Sequence, residues 1–239
     1  MSKTLLSLLI LLSGLLQQVP AGLPSDGTKS LINNERVAVW DVTWPIGKAA
    51  PMVQSQFDVV LVDLANASAN VTSAKGKTKA ATFKVGQATF IPKGDSQIEE
   101  GTGNSPRHGI VIELKNFTQA PLEKQSAFPE AFPRNGSKKL LNNSRTTVWD
   151  YTWTVGVPTP VHFHSRDVVV VYLETGEVQS KDISGAITVN KLERGVTRYN
   201  ARNRTHSEEL VKGASRAIIV ELNDVKPQRK YPIETVIQH

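Results

Sequence analysis

Short stretches of β-branched and aromatic residues, separated by turn-forming residues, dominate the pattern along the chain. Stretches of this length and composition are typical of β-strands, and many of them at regular spacing indicate a sandwich or a barrel. No long helical periodicity interrupts them, so the pattern predicts an all-β protein. In the first half, the predicted strands run from Val37 to Trp44, Asp58 to Leu64, Ala80 to Val85 and Ile110 to Leu114.

The sequence repeats itself with an offset of 109 residues. Leu31 to Trp44 returns as Leu140 to Trp153, and the correspondence continues without a gap to the pair Glu99 and Glu208. Two copies of this length match common domain sizes, so we predict two tandem β-domains. The predicted division is a first domain over residues 22–117, a proline-containing linker over 118–139 and a second domain over 140–239.

The amino terminus has the pattern of a secretory signal peptide. Lys3 precedes an apolar run from Leu5 to Leu16, and Val19-Pro20-Ala21 then offers small residues for cleavage. We therefore predict a signal peptide over residues 1–21 and a secreted or periplasmic protein. The apolar run is too short for a comfortable membrane span, and no later stretch is apolar enough, so no membrane span is expected.

Charge and cysteine content exclude several classes of protein. The 28 basic and 22 acidic residues give a net charge of +6, but the basic residues are scattered. A nucleic-acid partner is not expected, because neither a basic stripe nor a recognition motif is present. The absence of cysteine excludes disulfides and thiolate metal ligands, so a secreted chain of this kind must be stabilised by its core.

The second half contains a pattern of histidines that suits a metal ion. His162-Phe163-His164 is an alternating pair, and residues two apart on a strand face the same side of the sheet. His206, which follows Gly195 and a run of turn-forming residues, is well placed to supply a third imidazole from another strand. The sequence therefore predicts a three-histidine metal site at His162, His164 and His206.

These residues resemble the two sequence motifs of the cupin superfamily. The first motif is matched by Gly156, five intervening residues, His162-Phe163-His164 and a closing Gly176. In the second motif, Gly195 and His206 stand at the glycine and histidine positions, whereas Ala201 and Asn203 replace the proline and the inner glycine.

The first copy keeps the framework of the motifs without their histidines. Gly86, Pro92 and Gly94 match the second motif, but Gln97 stands at its histidine position. Val53 and Ser55 occupy the two histidine positions of the first motif.

The resemblance covers nearly the whole mature chain and implies a bicupin, with two tandem double-stranded β-helix (jelly-roll) barrels. It implies a divalent transition metal in the second barrel, with iron expected first and manganese, zinc or nickel as alternatives. It also implies that the first barrel is a degenerate copy without a metal site. The two barrels are expected to pack as a pseudo-dimer within one chain, which would allow the protein to be a monomer.

The chain departs from the family pattern at the motif glutamate, whose position falls on Val169 or, with the shorter spacing, on Val168. Asp167 is the nearest carboxylate and is an alternative fourth ligand. However, Asp58 occupies the equivalent place in the copy without histidines, which favours a structural role for both aspartates.

Glu208 lies two residues beyond His206, and the strand pattern places both on one face. It is a candidate general acid or base, or a hydrogen-bond partner of the site. Glu99 stands at the equivalent place in the copy without histidines, so a structural role stays open.

Two functions remain open at this stage. A three-histidine site leaves coordination positions free, and similar cupins include dioxygenases, so the first expectation is a metal-dependent enzyme, an oxygenase acting on a small organic acid or a phenolic compound. The second expectation is a non-catalytic binding or storage bicupin. Fold resemblance does not choose between them, because one fold hosts many functions.

Overall fold

The computed structural model describes residues 19–20, 22–49, 55–118 and 127–224. These residues form seventeen β-strands connected by turns and contain no helix, so the chain is all-β as predicted. Within these ranges, no helix has the length and apolar character needed to cross a membrane. The predicted signal peptide lies outside the described residues, apart from Val19 and Pro20.

Each half of the chain supplies a similar set of strands. The first half forms β1 (Thr28–Asn33), β2 (Val37–Trp44), β3 (Asp58–Asp63), β4 (Ala67–Ser73), β5 (Thr78–Phe83), β6 (Ala88–Ile91), β7 (Gln97–Gly101) and β8 (Arg107–Leu114). The second half forms β9 (Ser137–Asn142), β10 (Thr146–Trp153), β11 (Thr159–His164), β12 (Asp167–Tyr172), β13 (Gly176–Asp182), β14 (Ile187–Leu192), β15 (Thr197–Asn200), β16 (Arg204–Gly213) and β17 (Ser215–Leu222).

The predicted strands agree well with these bounds. Strand β2 coincides with the predicted run from Val37 to Trp44, and β3 and β8 contain most of theirs. Strand β5 lies two residues earlier than its predicted run. The sequence pattern missed β1, β4, β6 and β7, because few or none of their residues are buried and the apolar alternation is weak.

Two antiparallel sheets make up each half. The larger sheets have five strands each, in the orders β1-β2-β8-β3-β6 and β15-β12-β17-β10-β9. The smaller sheet of the second half is β11-β16-β13-β14, whereas that of the first half is β5-β4-β7. Strand β11 carries two of the histidines, and most of the residues one repeat earlier, 50–55, lie outside the described residues.

Strand β12 separates two apolar regions, because successive side chains of a strand point to opposite faces of its sheet. Val168 and Val170 face the inside of the second barrel, where they pack with Trp149, Tyr151 and other buried residues. Val169 and Val171 face the other side and belong to a cluster that we call the shared core. The shared core draws buried residues from both halves: Val37, Val39, Val60, Val62, Leu64, Ile110, Ile112 and Leu114 from the first, and Val148, Val169, Val171, Leu173, Ile218, Val220 and Leu222 from the second.

Two ion pairs connect the halves in a reciprocal way. Arg36 Nε of the first half lies 2.8 Å from Asp167 Oδ2 of the second. Arg145 Nε of the second half lies 2.8 Å from Asp58 Oδ2 of the first. The arginines are one repeat apart, as are the aspartates, so each pair repeats the other with the halves exchanged. The two pairs differ in burial, because Arg36 and Asp167 are almost inaccessible to solvent whereas Arg145 and Asp58 are partly exposed.

The later part of the predicted linker, 118–139, belongs structurally to the second half. Strand β9 begins at Ser137 and pairs with β10. Before it, Ala131 and Phe132 are buried, and Ala131 donates its backbone N–H to the Phe163 carbonyl. Residues 119–126 of the linker lie outside the described residues.

Candidate metal centre

Strands β11 and β16 bring the three predicted histidines together. They are antiparallel neighbours, with His162 directly opposite His206, and His164 lies two residues further along β11 on the same face. A turn at Asn203 leads the chain into β16, where the Asn203 N–H donates to the His164 carbonyl at 2.8 Å. Asn203 has a positive φ of 65°, so it adopts the conformation that glycine has at this motif position in the first copy, Gly94.

The three imidazoles converge on one point. One nitrogen of each ring lies within 4.8 Å of the corresponding nitrogens of the other two. His164 Nε2 and His206 Nε2 are 3.2 Å apart, and the ring centroids are separated by 4.7 to 5.1 Å. Three nitrogen donors bound to one ion at 2.0–2.1 Å would lie about 3.0 to 3.4 Å from each other. The shortest pair already has this spacing, so the cluster suits a divalent transition metal.

Two of the three rings are held through their outer nitrogens. His162 Nδ1 donates to the Pro160 carbonyl at 2.8 Å, and His206 Nδ1 lies 3.3 Å from Ser180 Oγ. Both contacts fix a ring through its outer nitrogen, as is usual for metal-binding histidines. Burial lowers the pKa of His162 to about 4, and burial also lowers the pKa of His164 and of His206. The imidazoles are therefore neutral near pH 7, which is the protonation state that binds metals.

Glu208 lies beside the histidine cluster, as predicted from its position on the strand. Its Oε1 is 3.8 Å from His206 Nε2, and its Oε2 accepts a hydrogen bond from Trp153 Nε1 at 3.3 Å. Arg134 Nη2 donates to the same Oε2 at 3.4 Å. Burial alone would raise the pKa of Glu208, but Arg134 and the neighbouring histidines lower it overall. Glu208 is therefore a carboxylate near pH 7, which suits proton acceptance or hydrogen bonding more than proton donation.

Asp167 does not join the cluster, so the structure does not support the alternative that it is a fourth ligand. Its carboxylate faces the first half, where it pairs with Arg36, and it accepts a hydrogen bond from the Arg202 backbone N–H at 2.8 Å. The physical reason is the alternation of β12, because Asp167 lies on the same face as Val169, whose side chain packs in the shared core.

The same alternation decides between the two positions considered for the missing glutamate. Val168 lines the small cavity beside His164 and His206, whereas Val169 packs between the halves. The shorter motif spacing is therefore the structurally relevant one. An apolar side chain stands where the family motif places its acidic ligand.

Sequence reasoning missed Arg134, which it had assigned to the linker. Arg134 Nη1 lies 3.2 Å from His162 Nε2, and the guanidinium lies over the ring of Tyr151 with its carbon 3.9 Å from the ring centroid. A signal for it exists in the sequence. The repeat extends back to Leu23-Pro24-Ser25 in the first copy and Phe132-Pro133-Arg134 in the second, so arginine replaces serine only in the copy that has the histidines.

Little free space remains beside the histidines. The cavity there has a volume of about 30 Å³ and is lined by Arg134, Tyr172, Arg204 and Glu208 among others. This is enough for a water molecule or an ion, but far below the size of common small-molecule pockets. Larger ligands could enter only if a lining side chain, such as that of Arg134, moved away.

The two-barrel β-architecture and the three-histidine cluster define the class of protein, which is that of the cupin fold. No protein-family model matches the chain, and a comparison with curated proteins finds no match. Solved structures do match. A cupin 2 conserved barrel domain protein from Leptotrichia buccalis is 14% identical with a TM-score of 0.53, and the match covers 82% of this chain and 88% of that one.

Oxalate decarboxylase from Bacillus subtilis, a protein with Mn(II) centres, is a second structural neighbour. It is 10% identical with a TM-score of 0.57, and the match covers 83% of this chain and 76% of that one. A mutant of the same decarboxylase gives a TM-score of 0.58. At these identities the comparisons establish the fold and confirm that the chain is built like cupin proteins.

Proposed function

We propose that the second barrel binds a divalent transition metal through His162, His164 and His206, and that the protein is a metal-dependent enzyme acting on a small organic acid. The convergence of three neutral imidazoles, with two Nε2 atoms 3.2 Å apart, is the observation that carries the metal site. Three histidines leave coordination positions for a substrate. Iron is the first candidate, and manganese, zinc and nickel are alternatives.

The charges beside the histidines support an anionic substrate over a phenol. Arg134 and Arg204 both line the cavity, and a guanidinium can bind a carboxylate through two parallel hydrogen bonds. Glu208 contacts Arg134, and an incoming carboxylate would compete for the same guanidinium. A proton released during the reaction could then be held on a Glu208 oxygen, next to His206.

The bound metal would supply the reactive chemistry: oxygen activation with iron, which makes an oxygenase the first reaction class to test, or Lewis acidity with zinc. Oxalate is the first acid to test, because one structural neighbour is an oxalate decarboxylase. Oxygen uptake and carbon dioxide release, measured with a panel of small mono- and dicarboxylic acids, would separate oxidation from simple decarboxylation.

A second candidate function is a non-catalytic bicupin in which the metal is structural. The small free volume of about 30 Å³ beside the histidines favours it, because a substrate would need to displace Arg134. If the metal-loaded protein binds no acid and Arg134→Ala does not change this result, the non-catalytic function is preferred.

Metal analysis of protein purified from its native host tests the site itself. We expect one metal ion per chain in the wild type and its loss in His162→Ala. His108→Ala is the matched control, because His108 lies on the surface against Asp41 at 2.6 Å and outside the cluster. Equal trace metal in all three proteins would contradict the proposed metal site and the proposed enzymatic function.

We also propose that the mature protein is secreted or periplasmic, and that the halves form a pseudo-dimer within a monomeric chain. The shared core and the two reciprocal ion pairs support the second point. Amino-terminal sequencing of the exported protein tests cleavage after residue 21. Light scattering tests the monomer, and a stable dimer in solution would contradict it.

A further inference from the structure

A cavity in the first half is far larger than the space at the histidines. Its volume is about 720 Å³, compared with about 30 Å³ at the histidine cluster. Pockets that bind small molecules commonly measure roughly 300–1,000 Å³. The half that lost the metal motif therefore contains the space that the half with the motif lacks.

The cavity arises because bulky side chains of the second barrel have smaller equivalents in the first. In the second barrel, Phe132 stacks on Trp149 with ring centroids 5.4 Å apart. In the first barrel, Leu23 stands at the equivalent position near Trp40 and leaves part of the barrel unfilled.

A carboxylate in this cavity has lost a cationic partner that its equivalent keeps. Trp40 Nε1 donates to Glu113 Oε2 at 3.0 Å, and Trp149 Nε1 donates to Glu221 Oε2 at 2.8 Å. Glu221 also binds Arg166 Nη1 at 3.4 Å.

One repeat earlier, Phe57 stands in the place of Arg166, and no described residue forms an ion pair with Glu113. Burial raises the pKa of Glu113, because its charged form is desolvated, and this outweighs the lowering by the Trp40 hydrogen bond and by the nearby charge of Lys115.

Aromatic rings and carboxylates line the same cavity. Trp40 and Phe57 contribute rings and Glu113 contributes a carboxylate, whereas Glu99 and Trp44 are already engaged by Arg107. The one basic residue among the described lining residues is Lys115, whose Nζ is held by Asn33 Oδ1 at 2.6 Å and by the Asn34 carbonyl. Aromatic faces next to carboxylates attract organic cations through both ring and charge interactions.

We propose that the cavity of the first half is a binding site for small organic ammonium compounds with an aromatic or other apolar body. The ammonium group would lie near Glu113, in the position that Arg166 takes relative to Glu221. The apolar body would occupy the space near Trp40 that Phe132 fills in the second barrel. This site is independent of the proposed metal-dependent function, because none of the three histidines lines the cavity.

Calorimetric titration of the full mature protein with 2-phenylethylamine tests the proposal. Cleavage after residue 21 would remove Val19 and Pro20 from the cavity lining but would leave Trp40, Phe57 and Glu113 in place. The matched probe is 3-phenylpropionate, which has a similar body and the opposite charge. We expect the amine to bind at least about tenfold more tightly than the carboxylate, with the same result after metal removal and in His162→Ala. Equal or tighter binding of the carboxylate would overturn the proposal, as would no binding of the amine at low millimolar concentration.

Two variants locate the binding site. Phe57→Arg recreates the arginine–glutamate arrangement of the second half and should weaken amine binding by about tenfold or more. Glu113→Gln keeps the shape of the side chain and should remove the preference for amine over carboxylate, even if Phe57→Arg disturbs folding. The control is Phe128→Arg, because Phe128 is 44% exposed and lies outside the cavity, and it should bind the amine like the wild type. If neither cavity variant changes the binding, the amine binds elsewhere and the proposal is wrong.

Discussion

Arg134 Nη1 lies 3.2 Å from His162 Nε2, the nitrogen through which this histidine would bind a metal. The opposite nitrogen, Nδ1, donates to the Pro160 carbonyl, so Nε2 carries the lone pair and accepts from the guanidinium. The same guanidinium contacts Glu208 and lies over Tyr151. Arg134 therefore connects the histidine cluster, the nearby carboxylate and the aromatic interior of the barrel.

The first prediction concerns the charge of Arg134. Arg134→Ala removes a cation next to His162 and should tighten Zn²⁺ or Mn²⁺ binding by on the order of tenfold, measured by competition with a chelator. It should also weaken binding of a small carboxylate to the metal-loaded protein. Arg134→Lys keeps the charge without the stacked guanidinium and should bind metal less tightly than Arg134→Ala. Metal binding in the alanine variant that is no tighter than in the lysine variant would contradict a direct charge effect.

The second prediction uses the alternation of β12. Val168→Glu places a carboxylate on the face of the histidines and should tighten metal binding by on the order of tenfold, because a fourth ligand becomes available. Val169→Glu is the matched control, since it places the same group in the shared core. It should cost several kcal/mol of unfolding free energy without improving metal affinity, because a charge is buried without a partner. The reverse result would mean that the two faces of β12 are assigned incorrectly.

The third prediction compares the two ion pairs between the halves. Asp167→Asn leaves the buried Arg36 without its nearest carboxylate and should cost about 3 kcal/mol or more in urea unfolding. Asp58→Asn should cost about 1 kcal/mol or less, because Asp58 and Arg145 are partly exposed. Both variants should keep full metal content. Selective loss of metal from folded Asp167→Asn would instead support Asp167 as a metal ligand.

The fourth prediction concerns the outer nitrogen of His206. Ser180→Ala removes the hydroxyl 3.3 Å from His206 Nδ1 and should weaken metal affinity by about tenfold or less, because the ring is held less firmly. Ser184→Ala is a suitable control, since Ser184 bonds only to Asp182 in an exposed turn. Unchanged affinity in Ser180→Ala would show that packing alone orients the ring.

The sequence predicted the fold because its repeat and its strand pattern are strong. The bounds of strand β2 were predicted to the residue, because its burial is nearly continuous and the second copy repeats its pattern. The convergence of His162, His164 and His206 followed from the two-residue period of strands together with the resemblance to cupin motifs. Strands such as β4 were missed, because only one of its residues is buried and its apolar pattern is weak.

Other parts of the site depended on three-dimensional relationships that local pattern does not contain. Whether Val168 or Val169 faces the histidines depends on which side of β12 packs against the other half. Arg134 was not predicted as a site residue, because it belongs to no motif and precedes the clear part of the repeat. The cavity of the first half follows from differences such as Leu23 in place of Phe132. The effect of this difference on the free volume can be judged only once Leu23 is located near Trp40 and Phe132 near Trp149.

The positions of Phe132 and Arg134 determine where a fragment containing only the second half would have to begin. A second half expressed from Leu140, where the obvious similarity starts, would lack the guanidinium next to His162 and the ring that covers Trp149. It would also lack part of β9. A fragment that begins before Phe128 keeps Phe132, Arg134 and the whole of β9. A single-barrel version of the protein must therefore include the later part of the predicted linker as part of the binding site.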